Sequence, residues 1–461
     1  MSVAGVGCKG ESRGLETAMT DRRAPAKVQI LSLTASIALA AVAFTFSEVL
    51  PGRVRALMGI VAFLLVTIFF SANVNAIRWR TVACGFGLQL LLAVVVLKLT
   101  IVGVRPGYAV FSALATVVTK FLEFTSAGAV FVFGVIADPQ AMGSVFPNGF
   151  VLAFASLPII IFVSSVCAVL YHLGVVQVVV GLMARAMMPV MGTSGAETLS
   201  AAANVFVGQT EAPLVVRPYV SRMTRSELLA LMIGGLATIA GSMFAVYVGL
   251  GADPIAMLTT SVMAAPCGLY LAKILLPETE LPDTSGDVTV KIEKEHVNVV
   301  DAAAAGAASG MHLALNVAAM LIAFLAFVAM LDYGLGAISP GMSLARVMAV
   351  VFAPVAALIG VGSADIPVVA DLLGTKLVMK EMVSFVKLNG DYVGAISDRT
   401  HTLASFALTG FANFGSIGVL LGGIGGMAPD RRADIASLSM RALLGGFVAT
   451  LLNASIAALL L

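Results

Sequence analysis

Gln209, Thr210 and Glu211 stand in a row inside "VGQTEAPLVV", Val207 to Val216, in a chain that is otherwise heavily apolar. An amide offers donor and acceptor, a hydroxyl the same, and an ionised carboxylate two acceptors. Pro213 follows, and a proline breaks a helix and frees backbone carbonyls. Freed carbonyls at membrane depth survive only inside protein or along a wet cavity. A second carboxylate, Glu381, has Asn413 and Ser416 downstream of it. These groups suit hydrogen bonding to a polar, uncharged solute. A carboxylate pairs well with two adjacent hydroxyls, so a sugar diol is a natural partner. No paired arginines accompany them, which argues against a phosphate or carboxylate solute. Asn204, Thr238 and freed carbonyls form a hard oxygen set that suits a co-transported cation.

A plainer reading stands beside this one. Each Glu could cap a helix or pair with a nearby Arg, and Arg217 and Arg222 are available to Glu211. Lys380 adjoins Glu381, but neighbours in sequence do not face each other on a helix. Neither Glu suits a lipid-facing position, where a charge at a helix centre costs about 2.5–3.5 kcal/mol. The four cysteines, Cys8, Cys84, Cys167 and Cys267, form no CxxC pair, and the four histidines show no ligand pattern.

The elements that position these residues must be membrane helices. The chain has 461 residues, 59% hydrophobic and 11% charged, against about 25% charged in a soluble domain. Uncharged windows recur at 56–77, 139–184, 228–252, 302–331, 402–429 and 442–461, and roughly 20 apolar residues span the hydrocarbon as a helix. The apolar residues run on without alternating, which argues against a β-barrel. A polytopic helical bundle follows. The net charge of +2 gives no pointer to nucleic acid.

Residues 1–27 read as a polar tail, without the apolar run of a signal peptide. Spans are expected at about 28–50, 56–77 and 81–104. Residues 107–133 carry Lys120 and Glu123 and read as an amphipathic helix along the membrane surface. The window 149–183 reads as one span plus the start of another element. Residues 192–225 are too broken for a span and too apolar for a loop, as a re-entrant helical hairpin would be. Clean spans are expected at 228–250, about 255–275, about 309–331, 402–426 and 437–461. Residues 277–301 read as an aqueous loop, and 342–390 as a second interrupted stretch.

"GLATIAGS" at 235–242 matches "GFANFGSI" at 410–417 in residue type, and each follows an interrupted stretch bearing a Glu. Small residues at close spacing are common in membrane helices. Paired interrupted segments in two halves are nonetheless the best sequence pointer to a transporter's binding site.

With these residues in view, the chain resembles the concentrative nucleoside transporter family, as a bacterial member, over roughly 85–461. The likeness is strongest in "GTSGAETLSAAANVFVGQTEAPLVVRPYVSRMTRSEL", "MIGGLATIAGSMFAVYVGLG", "AKILLPETE", "LLGTKLV" and "ALTGFANFGSIG". The resemblance implies an all-α polytopic membrane protein with about eight transmembrane helices. It adds two re-entrant helical hairpins and two partly unwound helices, one of each per repeat in an inverted repeat, and an interfacial amphipathic helix. The divisions expected are tail 1–27, scaffold 28–135, first repeat 149–250, scaffold 251–340, second repeat 341–426 and a final helix 427–461. It also implies a homotrimer in the bacterial inner membrane, with no cofactor. Such a protein imports nucleosides by symport with Na⁺, or with H⁺ in some members, through an elevator-like alternation.

Carried over by motif, Gln209, Thr210 and Glu211 contact the nucleobase. Glu381, Asn413 and Ser416 hold the ribose hydroxyls. Phe411 and Met243 lie beside the base. The Na⁺ site maps to the Asn204 and Thr238 side chains and the carbonyls of Val207 and Ile239. The chain departs from the family where a common "NEFVAY" reads "KEMVSF" at 380–385. Lys380 then adds fixed positive charge beside the ribose carboxylate. It could replace a cation electrostatically, shift the ionisation of Glu381, or point away into water. Two other classes compete. An intramembrane enzyme would use Glu197, Glu211 or Glu381 as acid–base groups, yet no nucleophile–base set accompanies them. A passive channel or transport-dead receptor would draw its best argument from Lys380.

Overall fold

The computed structural model describes residues 26–101, 103–138, 141–142, 151–155, 157–284 and 296–461. Most of the polar tail, half of the 277–301 loop, and residues 149, 150 and 156 lie outside the described residues. Apart from one isolated bridge, Ile101 to Val104, the described residues form helices and turns.

The first helices are α1 (Ala26–Thr45), α2 (Gly52–Phe69), α3 (Trp79–Leu97) and α4 (Pro106–Phe133). Lys120 and Glu123 of α4 pair with each other at 2.7 Å and are exposed. The helix is also long and apolar enough to cross a bilayer, so length does not assign it to the surface. Next come α5 (Leu157–His172) and α6 (Val175–Met191), bent by 71° at their junction. Gly174 makes the bend at φ +81, a region glycine enters without a Cβ clash.

The first interrupted stretch comprises α7 (Gly195–Ala203), a turn through 204–211, and two four-residue helices, Ala212–Val215 and Arg217–Val220. The helix that follows is broken, as α8 (Arg225–Ala237) and α9 (Gly241–Gly249). Then come α10 (Pro254–Leu275) and α11 (Val299–Ile338). At 40 residues α11 outruns the expected 309–331. Its Ala-rich first turns propagate helix on their own propensity, and Asn298 caps the start by accepting from the Asp301 N–H at 2.9 Å. Gly306 and Gly310 seat α11 on α5, where a Cβ would come within 2.7 Å of Ala168 Cβ and of Ile161 Cα respectively. This is the close approach that small residues four apart permit.

The second half repeats the order. After α12 (Leu344–Ile359) comes an interrupted pair, α13 (Ile366–Val378) and α14 (Glu381–Asn389). A broken pair follows, α15 (Asp398–Leu408) and α16 (Phe414–Met427), and then α17 (Arg432–Leu460). Among the described residues seven helices are long and apolar enough to cross a membrane, or eight if α5 and α6 count as one span. The centre is stitched by buried polar groups. The Tyr270 hydroxyl of α10 donates to Gln89 Oε1 of α3, and Gln89 Nε2 donates to Asn453 Oδ1 of α17, both at 2.7 Å.

The clean spans that hydropathy expects at 228–250 and 402–426 are both corrected: each is broken, at Thr238–Ala240 and at Thr409–Asn413, in the two repeats where the resemblance implies a partly unwound helix. A threonine ends each first half-helix in the same way. Thr238 Oγ1 donates to the Gly234 carbonyl at 2.9 Å, and Thr409 Oγ1 to the Ser405 carbonyl at 2.6 Å. The breaks then satisfy each other, since the Phe411 N–H donates to the Thr238 carbonyl at 3.1 Å. Apolar side chains continue through both breaks, so hydropathy does not register them.

Candidate functional site

The base of the first hairpin is locked by two acidic residues. Glu227 accepts from the Thr224 N–H at 2.8 Å and from Ser194 Oγ at 2.5 Å, joining the starts of α8 and α7. Glu197 accepts from the Ser194 N–H at 2.8 Å and pairs with Lys273 of α10 at 2.7 Å. Lys273 also pairs with Glu278 at 3.2 Å. Glu197 is thus a latch between hairpin and core, which leaves it no acid–base part at the opposite end of α7.

At that end lie the residues singled out by sequence. Asn204 is wholly buried and donates through Nδ2 to the Ser200 carbonyl at 3.0 Å. Its Oδ1 has no partner. Gly234 and Gly235 of α8 form its seat, where a Cβ would meet Asn204 Nδ2 at 2.9 Å and Gln209 Cβ at 2.8 Å. Thr238 and Ile239 sit in the break that follows. Among the described residues, neither the Val207 nor the Ile239 carbonyl accepts a backbone hydrogen bond. An orphaned buried amide oxygen and backbone carbonyls left without donors are the kind of ligand a hard monovalent cation takes as cargo. No three His, Cys, Asp or Glu converge among the described residues.

Gln209 is buried with Oε1 unpartnered, Thr210 is half-buried and Glu211 exposed. Glu211 Oε2 accepts from the Gly208 N–H at 2.7 Å. No ion pair joins it to Arg217 or Arg222 among the described residues, and Arg222 instead faces Asp283 at 3.6 Å. Thr210 packs on α16, its Cγ2 lying 2.9 Å from where a Cβ on Gly423 would stand. The tip of the first hairpin therefore touches the second half's broken helix.

In the second half, Glu381 opens α14 and is 2% exposed. Its Oε2 accepts from Asn413 Nδ2 at 2.8 Å, and its Oε1 from the Tyr247 hydroxyl at 2.6 Å. Asn413 caps α16, its Oδ1 accepting the Ser416 N–H at 2.9 Å. The amide thus holds the carboxylate with one end and the helix start with the other. Tyr247 was not among the residues singled out by sequence. It stands on α9, wholly buried, with its ring stacked on Phe385 at 4.7 Å. Its signal in the sequence was a phenol in the apolar run "FAVYVGLG", four residues after Met243. Met243 is buried on α9, and Phe411 is half-buried in the second break.

Lys380 has extended backbone at the start of α14 and a half-buried side chain. Its Cε lies 3.8 Å from where a Cβ on Gly415 would stand, over the first turn of α16. Its ammonium has no hydrogen-bond or ion-pair partner among the described residues. At the base of the second hairpin, Asp371 accepts from Lys387, and from the Tyr392 hydroxyl at 2.8 Å. Burial first and Asp371 second push the Tyr392 phenol up, so it remains a donor there.

Two carboxylates, one per half, thus flank a junction where both broken helices and both hairpins meet. The buried acceptors left over are those a donor-bearing neutral solute and a cation would satisfy.

Three family models match: "Na+ dependent nucleoside transporter N-terminus" over residues 58–136, "Nucleoside recognition" over 153–254, and "Na+ dependent nucleoside transporter C-terminus" over 256–458. An uncharacterised transporter of Haemophilus influenzae is 41% identical over 413 residues, covering 87% of this chain and 96% of that protein. Sodium/nucleoside cotransporter 1 of Mus musculus is 40% identical over 432 residues, covering 89% of this chain and 64% of that protein. The chain therefore spans about two thirds of the mouse relative's length. Among solved structures, CNTnw in an inward-facing substrate-bound state aligns with TM-score 0.84 at 39% identity, over 89% of this chain and 98% of that one. A doubly substituted variant of CNTnw in an outward-facing state aligns with TM-score 0.84 at 38% identity, with the same coverage.

Proposed function

The chain belongs to the Na⁺-dependent nucleoside transporter family, and we propose that it is a secondary active symporter that imports nucleosides, driven by a cation gradient with Na⁺ favoured. It is an integral membrane protein, and its relatives are transporters rather than enzymes. The bacterial inner membrane and a homotrimeric assembly complete the reading.

One observation carries it. Glu381 is held by Tyr247 from the first half and Asn413 from the second, at 2.6 and 2.8 Å. A carboxylate so oriented keeps lone pairs for the adjacent hydroxyls of a ribose. Ser416 and Asn413 complete the ribose end, while Gln209, Thr210 and Glu211, with Met243 and Phe411, take the base. The unpartnered Oε1 of Gln209 is the acceptor that a base N–H would satisfy. The cation sits at Asn204 Oδ1 and Thr238 with the carbonyls of Val207 and Ile239, at the C-terminal end of a half-helix, where the dipole favours positive charge. Because the same hairpin tip bears the cation ligands and the base ligands, occupancy of one pre-orders the other, a coupling of the usual 1–3 kcal/mol kind.

Alternating access moves the hairpins and broken helices as one body, elevator fashion. Inward- and outward-facing states of CNTnw support that reading. H⁺ coupling is the runner-up for the driving ion, and a facilitative or transport-impaired binder the runner-up for the activity. Lys380 favours the latter, as a fixed charge next in sequence to Glu381 that no residue neutralises among the described residues.

The test is uptake into proteoliposomes with Na⁺ and H⁺ gradients imposed separately, against a panel of nucleosides. Uphill, Na⁺-driven accumulation is expected. Accumulation of no nucleoside under either gradient would sink the reading. Glu381→Gln should abolish ribose-dependent uptake, and unchanged transport by that variant would remove its assigned role.

A further inference from the structure

Arg53, Arg55 and Arg399 meet where α2 and α15 begin and α12 and α17 end. Arg55 is 3% exposed. Its Nη2 donates to the Val361 carbonyl at 2.8 Å, and its Nε to the Leu50 carbonyl at 3.2 Å. Arg399 is half-buried. Its Nη1 donates to the Gly360 carbonyl at 3.0 Å, and its Nη2 to the Ala458 carbonyl at 2.8 Å. Arg53 is exposed, and its Nη2 donates to the Leu461 oxygen at 3.3 Å. Gly52 lets these parts close up, since a Cβ there would lie 2.6 Å from the Gly360 oxygen and 3.5 Å from Arg399 Nη1. The last carbonyls of α17 and those just past α12 lack intrahelical donors, and the guanidiniums supply them.

Capping two helix ends does not use up the charge. Each end carries about half a negative charge, so the pair offsets about one of the three positive ones. A full charge counted at Leu461 as well still leaves the cluster positive. None of the three arginines pairs with an Asp or Glu among the described residues. Asp365, in the turn after α12, is taken up by Ser397, whose Oγ donates to it at 2.9 Å. Near the start of α17, by contrast, Arg222, Arg225 and Arg431 each face an aspartate, at 3.6, 3.4 and 2.9 Å. A guanidinium presents five N–H donors. Arg53 gives the protein one bond and Arg399 two, so donors remain for a ligand from outside.

The position names that ligand. Both α2 and α17 are long and apolar enough to cross a bilayer, and an end of each lies here, so the cluster sits at headgroup depth. On α2, Leu57 and Val61 follow Arg53 at four-residue steps and are exposed, and residues four apart share a helix face. The face therefore runs from a guanidinium into the hydrocarbon layer. Arginine takes phosphate oxygens through two parallel N–H bonds, and basic pockets between membrane helices take anionic headgroups. We propose that Arg53 and Arg399 bind the phosphate of an anionic phospholipid, its acyl chains lying along Leu57 and Val61. Arg55 is the buried floor of the site and positions the Val361 turn. The bound lipid braces α2 against the turn that leads into the second hairpin. The site holds whatever solute the protein carries.

The test uses the full chain, purified in detergent and stripped of lipid. A ligand of the folded state raises the thermal unfolding midpoint, which is followed as phosphatidylglycerol, phosphatidylcholine or glycerol phosphate is added. Phosphatidylglycerol should raise the midpoint and saturate, and the other two should raise it far less at equal concentration. In Arg53→Gln the half-saturating phosphatidylglycerol concentration should rise by a factor of about 5. Arg53→Lys keeps the charge and should lose less. Arg80→Gln removes an exposed arginine at the start of α3 and should respond as wild type does. Equal responses to phosphatidylglycerol and phosphatidylcholine would overturn the proposal. So would a full response to glycerol phosphate, which marks a site for free phosphate. An Arg53→Gln protein that responds as wild type does, or an equal loss in Arg80→Gln, would overturn it too. The wild-type comparison of the three ligands needs no variant, so it decides the matter even if Arg53→Gln does not fold.

Discussion

Tyr247→Phe tests the joint between the two halves most directly. The phenol oxygen lies 2.6 Å from Glu381 Oε1, both groups are buried, and the ring stacks on Phe385. Removing one oxygen keeps the ring and its stacking and deletes a single charge-assisted hydrogen bond. Such a bond is worth about 1.5–3 kcal/mol, and its loss leaves a buried carboxylate oxygen without its donor. Asn413 alone then orients Glu381, and the carboxylate gains rotational freedom at the ribose end. If that energy falls on substrate binding, affinity drops by roughly 10- to 150-fold. The assay is competition for labelled nucleoside in proteoliposomes, comparing ribonucleosides with 2′- and 3′-deoxy analogues. The reasoning expects discrimination between ribose and deoxyribose to shrink, because the lost orientation matters only where a hydroxyl is bound. A Tyr247→Phe protein with wild-type affinity and unchanged discrimination would refute the claim that Tyr247 positions Glu381. A loss equal for all analogues would place the effect on the fold instead.

Two further changes probe the first half and the second break. Asn204→Ala removes the unpartnered Oδ1, so half-saturating Na⁺ should rise by a factor on the order of 10, read from the Na⁺ dependence of uptake. The lost bond from Nδ2 to the Ser200 carbonyl costs the fold only about 0.5–1.5 kcal/mol, and an unchanged Na⁺ curve would exclude Asn204 from the cation site. Gly410→Ala forces a side chain onto a backbone at φ +138, with its Cβ 2.7 Å from Thr450 Cγ2 and 3.0 Å from the Ala237 carbonyl oxygen. A cost of about 1–3 kcal/mol is expected from the strain, seen as a lower unfolding midpoint. Gly418→Ala in α16 meets nothing within 4 Å and should be neutral or slightly stabilising, so equal effects at the two sites would contradict the geometry.

How much of this was legible beforehand follows from what each signal measures. The apolar windows report transfer from water to lipid, a property of side chains one by one, and they sufficed for a helical membrane bundle. Glu211 and Glu381 drew notice for the same reason, because charge in such windows is costly. Hydropathy is blind to backbone conformation, so it read 228–250 and 402–426 as continuous spans. Thr238 and Thr409 end their half-helices by bonds no composition reveals, and the two breaks are closed by a hydrogen bond between residues 173 positions apart, Phe411 to Thr238.

The sequence by itself determined the class of molecule, the recurrence of an interrupted segment in each of two halves, and which polar residues demanded a reason. Tertiary structure alone decided how those residues divide the work. It turned Glu197 from a candidate acid into a latch on Lys273, put the unremarked Tyr247 on Glu381, and set the Arg399 guanidinium on the ends of α12 and α17. The physical reason is that a buried polar group is defined by its partner. Partners 134 residues apart, as Tyr247 and Glu381 are, become neighbours only when the chain has packed.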